Sequence, residues 1–200
     1  VFNFYSDNFK GGTYKHLLVS PFFMRKRLVQ LINKEIQNAK AHKPASIILK
    51  LNNLVDADMI RKLYEASSEG VEIKLIVRGI CSLVAGVKGL SENIEAISLV
   101  DKYLEHSRVF IFHNNGDEKY FISSADWMTR NLDHRSEVAV PILDKKIQKE
   151  LRNIIDTLWL DNTKARKLGS QQNNEYRKPN GKLKIRAQEE MFNLLKSKRN

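Results

Sequence analysis

Apolar positions along this chain switch repeatedly between two periods. Tyr14 to Ser20 is a short apolar run, and Ser20-Pro21 after it supplies a helix cap followed by proline at the first helical position. Met24, Leu28, Leu31, Ile32, Ile36 and Ala39 then recur three and four apart, which predicts a helix to about Lys40. Ala45 to Leu51 is a second apolar run. Asp56 predicts a capped helix carrying Met59, Ile60, Leu63 and Tyr64, stopped at Gly70. Val71 to Val77 is a third run, rich in branched residues. The pattern is strand–helix–strand–helix–strand, and crossovers of this length predict a parallel βαβαβ unit whose sheet is covered on both faces.

Cys81 to Asn93 predicts a loop, and Ile94 to Val100 another strand. Ser107–Phe112 and Glu118–Ile122 flank Asn114-Asn115-Gly116-Asp117, a turn sequence suited to a hairpin. Arg135 to Ile142 predicts a strand, after which Asp144 caps a helix with the stripe Ile147, Leu151, Ile154 and Leu158. Apolar density falls after Asp161 until Met191–Leu195, a candidate short docking helix. Residues 1–14 show no clear period. The expected class is therefore α/β, with a basic extension at the end.

Charge sharpens this outline. The 200 residues carry a formal net charge of +11. Lys164 to Asn200 holds 11 Lys/Arg against 3 Asp/Glu, leaving the body close to neutral at +3. Such a segment is either a solvated tail or an attractor of polyanions. The single cysteine, Cys81, excludes an internal disulfide and a cysteine-rich metal cluster, and it fits a reducing, cytoplasmic compartment. No window approaches the roughly 20 apolar residues of a membrane span, although peripheral membrane association stays compatible with the basic surplus. The start, Val-Phe-Asn-Phe-Tyr-Ser-Asp, has neither a Met nor a signal-peptide pattern, so a longer parent polypeptide is expected.

The predicted strands end at Ser20, Asn52-Asn53 and Arg78-Gly79. Ligands of open α/β sheets bind beyond such carboxyl ends. Arg78 can snorkel or pair with a carboxylate, or it can aim its planar fork at phosphate oxygens. Gly79 permits close backbone approach, Ser82 adds a hydroxyl, and Lys50, Asn52 and Asn53 end the neighbouring strand. His16, His42 and His113 read as solvated side chains, while His134 in its polar loop is open to either reading. His106 is open between a satisfied structural histidine and one that handles phosphoryl groups or protons. Arg108, Arg130 and Arg135 add positive charge around it, a density suited to a phosphate chain and ill suited to an apolar ligand. Ser123-Ser124-Ala125 leaves room for an oxyanion with hydroxyl and amide donors. No phosphate-cradling glycine loop and no His-Glu-x-x-His or Cys-x-x-Cys spacing occurs. Asp56 and Asp58 read as helix-capping acids, and Trp127 and Trp159 as packing residues.

Several long strings carry a family resemblance: Leu49–Asp56, Leu63–Val71, Val77–Leu83, Tyr103–Val109 and Ser123–Asn131. Their order resembles the C-terminal domain of bacterial polyphosphate kinase, the second of two related phospholipase D-like catalytic domains. The likeness spans roughly residues 1–168. It implies a phospholipase D-like mixed sheet flanked by helices over residues 1–163, with the basic extension over 164–200. It implies reversible transfer of the ATP γ-phosphoryl group to polyphosphate, with Mg²⁺ assisting, through a phosphohistidine in a His-Pro-Tyr motif of the preceding domain. This chain has no His-Pro pair, so that nucleophile and the Mg²⁺ ligands are expected outside it. Arg78 matches the family's nucleotide-phosphate arginine, and His106 its second active-site histidine. Lys50, Asn53, Ser82, Arg108 and Arg130 are further candidates for ATP or phosphate contact. The implied partners are ATP or ADP, polyphosphate, the remaining domains and a second copy of the chain, and no nucleic acid is expected. Two positions depart from the phospholipase D pattern: Arg108 replaces the lysine of His-x-Lys, and Asp126 stands where asparagine is usual. The competing readings are a phosphodiesterase half-domain of that superfamily and a non-catalytic polyanion-binding module.

Overall fold

The computed structural model describes residues 14–171, 173–179, 181 and 183–197; the aperiodic stretch before Tyr14 lies outside them. Eight strands form one mixed sheet: β1 (Leu18–Ser20), β2 (Ser46–Leu51), β3 (Glu72–Val77), β4 (Ile94–Leu99), β5 (Arg108–Phe112), β6 (Lys119–Ser123), β7 (Glu137–Ile142) and β8 (Ala165–Lys167). Their spatial order is β1-β7-β6-β5-β2-β3-β4-β8. The helices are α1 (Met24–Lys40), α2 (Ala57–Ser68), α3 (Lys145–Leu160) and α4 (Ala187–Ser197).

The sequence predicts β1 beside β2, but β1 pairs antiparallel with β7 instead. Three strands separate β1 from β2, and the adjacent parallel trio is β2, β3 and β4. The pairings leave β1, β2, β3, β4 and β6 pointing one way and β5, β7 and β8 the other. The carboxyl ends of β2, β3 and β6 therefore meet the amino end of β5 along one rim.

Strand alternation feeds two cores. Ile47, Leu49, Leu51, Ile73, Leu75, Val77, Phe110 and Phe112 pack with α1 and α2, while Ile48, Ile76, Val109 and Ile111 pack with α3 and α4. Burial on both faces explains why β2, β3 and β5 read as nearly continuous apolar runs. Met24, Leu28, Ile32 and Ile36 form the buried stripe of α1, as their spacing predicts. Asp56 caps α2 by accepting from the Met59 amide at 3.0 Å.

Two predicted details differ. Ser20 does not cap α1, whose N-cap is Phe23; its hydroxyl instead donates to the Asn131 carbonyl at 2.6 Å. The buried positions of α3 are Gln148, Ile155 and Leu158, whereas Ile147 is 50% exposed. The helix carries two overlapping stripes, and the selected one admits Gln148 because its amide donates to the Ile142 carbonyl at 2.7 Å. The basic segment enters the sheet at once, since β8 pairs antiparallel with β4.

Candidate phosphate-binding site

The rim gathers residues from four chain segments. Arg78 follows β3, and its Nε donates to Asn52 Oδ1 at 3.1 Å. Asn52 follows β2, and its Nδ2 donates at 3.4 Å to the carbonyl of His106, which precedes β5. One asparagine thus links Arg78 to the His106 segment. The terminal amino groups of Arg78 make no hydrogen bond among the described residues, and neither does the exposed His106 imidazole. Gly79 makes the close approach possible, because a Cβ there would lie 2.8 Å from Asn53 Oδ1 and 2.9 Å from the Asn52 carbonyl.

Two of the other candidate cations, Lys50 and Arg108, are already paired. Lys50 is 2% exposed; its Nζ donates to Ser107 Oγ at 2.9 Å and lies 3.4 Å from Glu105 Oε2. Burial lowers its pKa, and Glu105 opposes that shift. Arg108 grips Asp126 with two bonds, Nε–Oδ1 at 3.2 Å and Nη2–Oδ2 at 3.1 Å. Asn53 donates its Nδ2 to Asp126 at 3.2 Å and accepts from the Ile80 amide at 3.1 Å. Ser82 is exposed, with its amide donating to the Leu54 carbonyl at 2.9 Å. Arg130 is exposed and opens a π-helical turn over Arg130–His134. The structure therefore brings Arg78, Asn52 and His106 together and places Lys50 and Arg108 beneath them as supports.

Asp126 is the residue that charge and spacing fail to single out as an organiser. It also accepts from the Asn52 amide at 2.8 Å and the Asn53 amide at 3.1 Å. Burial alone would raise its pKa, but Arg108 and the two amides hold it below the usual carboxylate range. The departure from asparagine at this position is the signal that could have found it. An aspartate there is a full charge for Arg108 to neutralise.

The Ser-Ser-Ala segment does not offer the open oxyanion cradle its composition suggests. Ser123 Oγ accepts from the Ala125 amide at 3.0 Å, the Ser124 amide donates to the Val138 carbonyl at 3.0 Å, and the Ser124 hydroxyl donates to Glu137. These donors are consumed by the loop itself and by β7. Among the described residues, Arg78 makes no ion pair, and the exposed Arg130 and Arg135 make none either, while the His106 backbone is joined to Arg78 through Asn52. A guanidinium fork with unbonded terminal nitrogens has the geometry that anion recognition uses.

Two solved structures share this architecture at low identity. NucT from Helicobacter pylori matches 72% of this chain and 93% of its own, with TM-score 0.52 and 16% identity. The phospholipase D family member Nuc from Salmonella typhimurium matches 77% of this chain and 97% of its own, with TM-score 0.53 and 15% identity. The fold is phospholipase D-like. Polyphosphate kinase C-terminal domain 2 matches residues 17–188, and the chain belongs to that family. It is 47% identical over 197 residues to the polyphosphate kinases of Escherichia coli (strain K12) and Vibrio vulnificus (strain YJ016). Both matches cover 98% of this chain but only 29% and 28% of those relatives. The crystal structure of polyphosphate kinase from Porphyromonas gingivalis superposes with TM-score 0.93 at 43% identity, covering 98% of this chain and 30% of that one.

The Mg²⁺ ion that the family implies does not fit the donors present here. Among the described residues no three His, Cys, Asp or Glu side chains cluster to hold a metal. The nearest carboxylates are engaged: Asp126 by Arg108, Glu105 by Lys50, and Glu137 by Ser124 and Asn131.

Proposed function

We propose that this chain is the C-terminal catalytic domain of an ATP:polyphosphate phosphotransferase that moves the ATP γ-phosphoryl group reversibly onto polyphosphate. The observation that carries the reading is the Arg78–Asn52–His106 link at a rim where Lys50 and Arg108 are internally paired. The free fork of Arg78 holds the nucleotide's phosphate tail in bidentate fashion. His106 stands beside it and donates a proton to, or polarises, the departing phosphate oxygen. The attacking imidazole belongs to the preceding part of the parent polypeptide. There it takes the γ-phosphoryl group from ATP, releases ADP and passes the group to the terminal oxygen of polyphosphate. Phosphoryl transfer has a loose transition state with charge spread over its equatorial oxygens, so positioning and cationic clamping supply most of the rate. Arg130 and Ser82 flank the path of the chain. The family further suggests a homo-oligomer working in the cytoplasm.

The test is substitution in the full-length parent. Arg78→Ala and His106→Ala are each expected to lower polyphosphate synthesis on the order of 10²–10³-fold. Synthesis near wild-type in both would overturn the assignment. The net charge of +11 supports a second reading, a polyanion-binding module. Polyphosphate and duplex DNA titrated at two salt concentrations separate the two, because general counterion release gives similar steep salt slopes for both ligands.

A further inference from the structure

The segment Asp101–Ser107, which carries His106, contains no helix or strand. Packing does not fix it either, since Tyr103 and Leu104 are 64% and 69% exposed. Polar bonds from distant residues hold it instead. Gln188, in the first turn of α4 and 8% exposed, accepts from the Tyr103 amide at 3.0 Å and donates its Nε2 to the Tyr103 carbonyl at 2.9 Å. The same Nε2 reaches Glu105 Oε1 at 2.9 Å. Glu105 in turn faces Lys50 of β2, which also donates to Ser107. The two residues flanking His106 are therefore both tied to Lys50, and one of them is tied to Gln188 as well.

The support under Gln188 is firm. Arg186 pairs with Asp101 through two bonds, at 2.9 and 2.7 Å. The Ala187 amide donates at 2.8 Å to Asp161, a fully buried carboxylate that also accepts from the Thr163, Lys164 and Ala165 amides. Asp161 thus joins the ends of α3, β8 and α4 into one pedestal.

We infer that Gln188 is a positioning residue for His106: through Tyr103 and Glu105 it sets where the imidazole sits relative to Arg78. The inference rests on the phosphotransfer reading of the same rim. It adds that the basic C-terminal segment shapes the reacting end of the site.

The experiment is a double-mutant cycle in the full-length parent with saturating ATP and polyphosphate. Gln188→Leu is expected to lower kcat roughly ten- to a hundredfold, since small misplacements of an acting group are that costly. On the His106→Ala background the same substitution is expected to cost less than twofold, because the group it positions is gone. A merely structural role would cost the same on both backgrounds, and that result overturns the inference. So does a Gln188→Leu enzyme with kcat within twofold of wild-type. Should Gln188→Leu not fold, Gln188→Glu reads the same cycle, because it keeps the side-chain shape but loses the donor to Tyr103 and Glu105. Should His106→Ala leave kcat intact, the phosphotransfer reading fails by itself. Hydrogen exchange over 101–107 then decides the positioning claim: faster exchange in the variant supports it, and unchanged exchange overturns it.

Discussion

A buried carboxylate organises the rim. Asp126 gathers Arg108, Asn53 and two backbone amides. Asp126→Asn keeps one oxygen for the amides but opposes Arg108 with an amide nitrogen, leaving the guanidinium's charge uncompensated. Urea unfolding is expected to show a loss of about 3 kcal/mol; an unaltered midpoint would mean that Arg108 finds another partner. Such residues mark the limit of what the sequence reveals. The rim positions of Arg78 and His106 are legible because each lies within two residues of a strand end, while the roles given to them come from the family resemblance. The partners of Lys50 and Arg108 are not, because Glu105 and Asp126 lie 55 and 18 positions away. A cation without its counter-ion in view reads as free. Gln188 carries no charge and lies beyond 80 residues of intervening chain, so nothing local hints at its contacts with Tyr103.

Between elements, Asp56 is the principal junction. It caps α2, takes two bonds from Arg25 of α1 at 2.7 and 2.6 Å, and accepts from Thr129 after β6 at 2.8 Å. Arg25 also reaches Asp133 at 2.7 and 2.6 Å. Burial pushes the Asp56 carboxyl up, but Arg25, the Met59 amide and Thr129 more than offset it and bring it down to about 2 from 3.8. The folded chain thus binds this proton less readily than the unfolded chain. The stabilisation is fully present above the unfolded value and is lost as pH falls through the folded one. Acid titration of stability should lose about 2 kcal/mol across that window, and Asp56→Asn should flatten that limb while lowering stability at neutral pH. The capping role of Asp56 is visible in its position before an apolar helical stripe. Its grip on α1 is not, and the same holds for the pairing of β1 with β7, because neither is encoded by neighbours in sequence. The α3 stripe holds in part: Leu158 is buried and Leu151 packs on the second core, while Ile147 and Ile154 stay exposed and Gln148 and Ile155 turn inward instead.

At the scale of the whole molecule, the basic C-terminal stretch is structural as well as electrostatic. Ala165 and Ala187 are fully buried in the second core, beside Ile97, Leu99 and Leu158. Truncation after Thr163 is expected to uncover that core, with a lower melting temperature and strong binding of a hydrophobic dye. Truncation after Ser197 is expected to do neither. A well-folded 1–163 fragment would instead favour a separable extension. The mixed sheet itself follows from short-range signals wherever consecutive strands pair, as in the β5–β6 hairpin, and departs from them wherever they do not. Both ends of the sheet are strands of three residues, and the outer side of β8 is further covered where Lys167 and Ala165 bond to Glu175 and Arg177. Long bare edges invite strand-to-strand polymerisation, and stubs discourage it. Copies of this domain can therefore crowd together without fusing into a continuous ribbon.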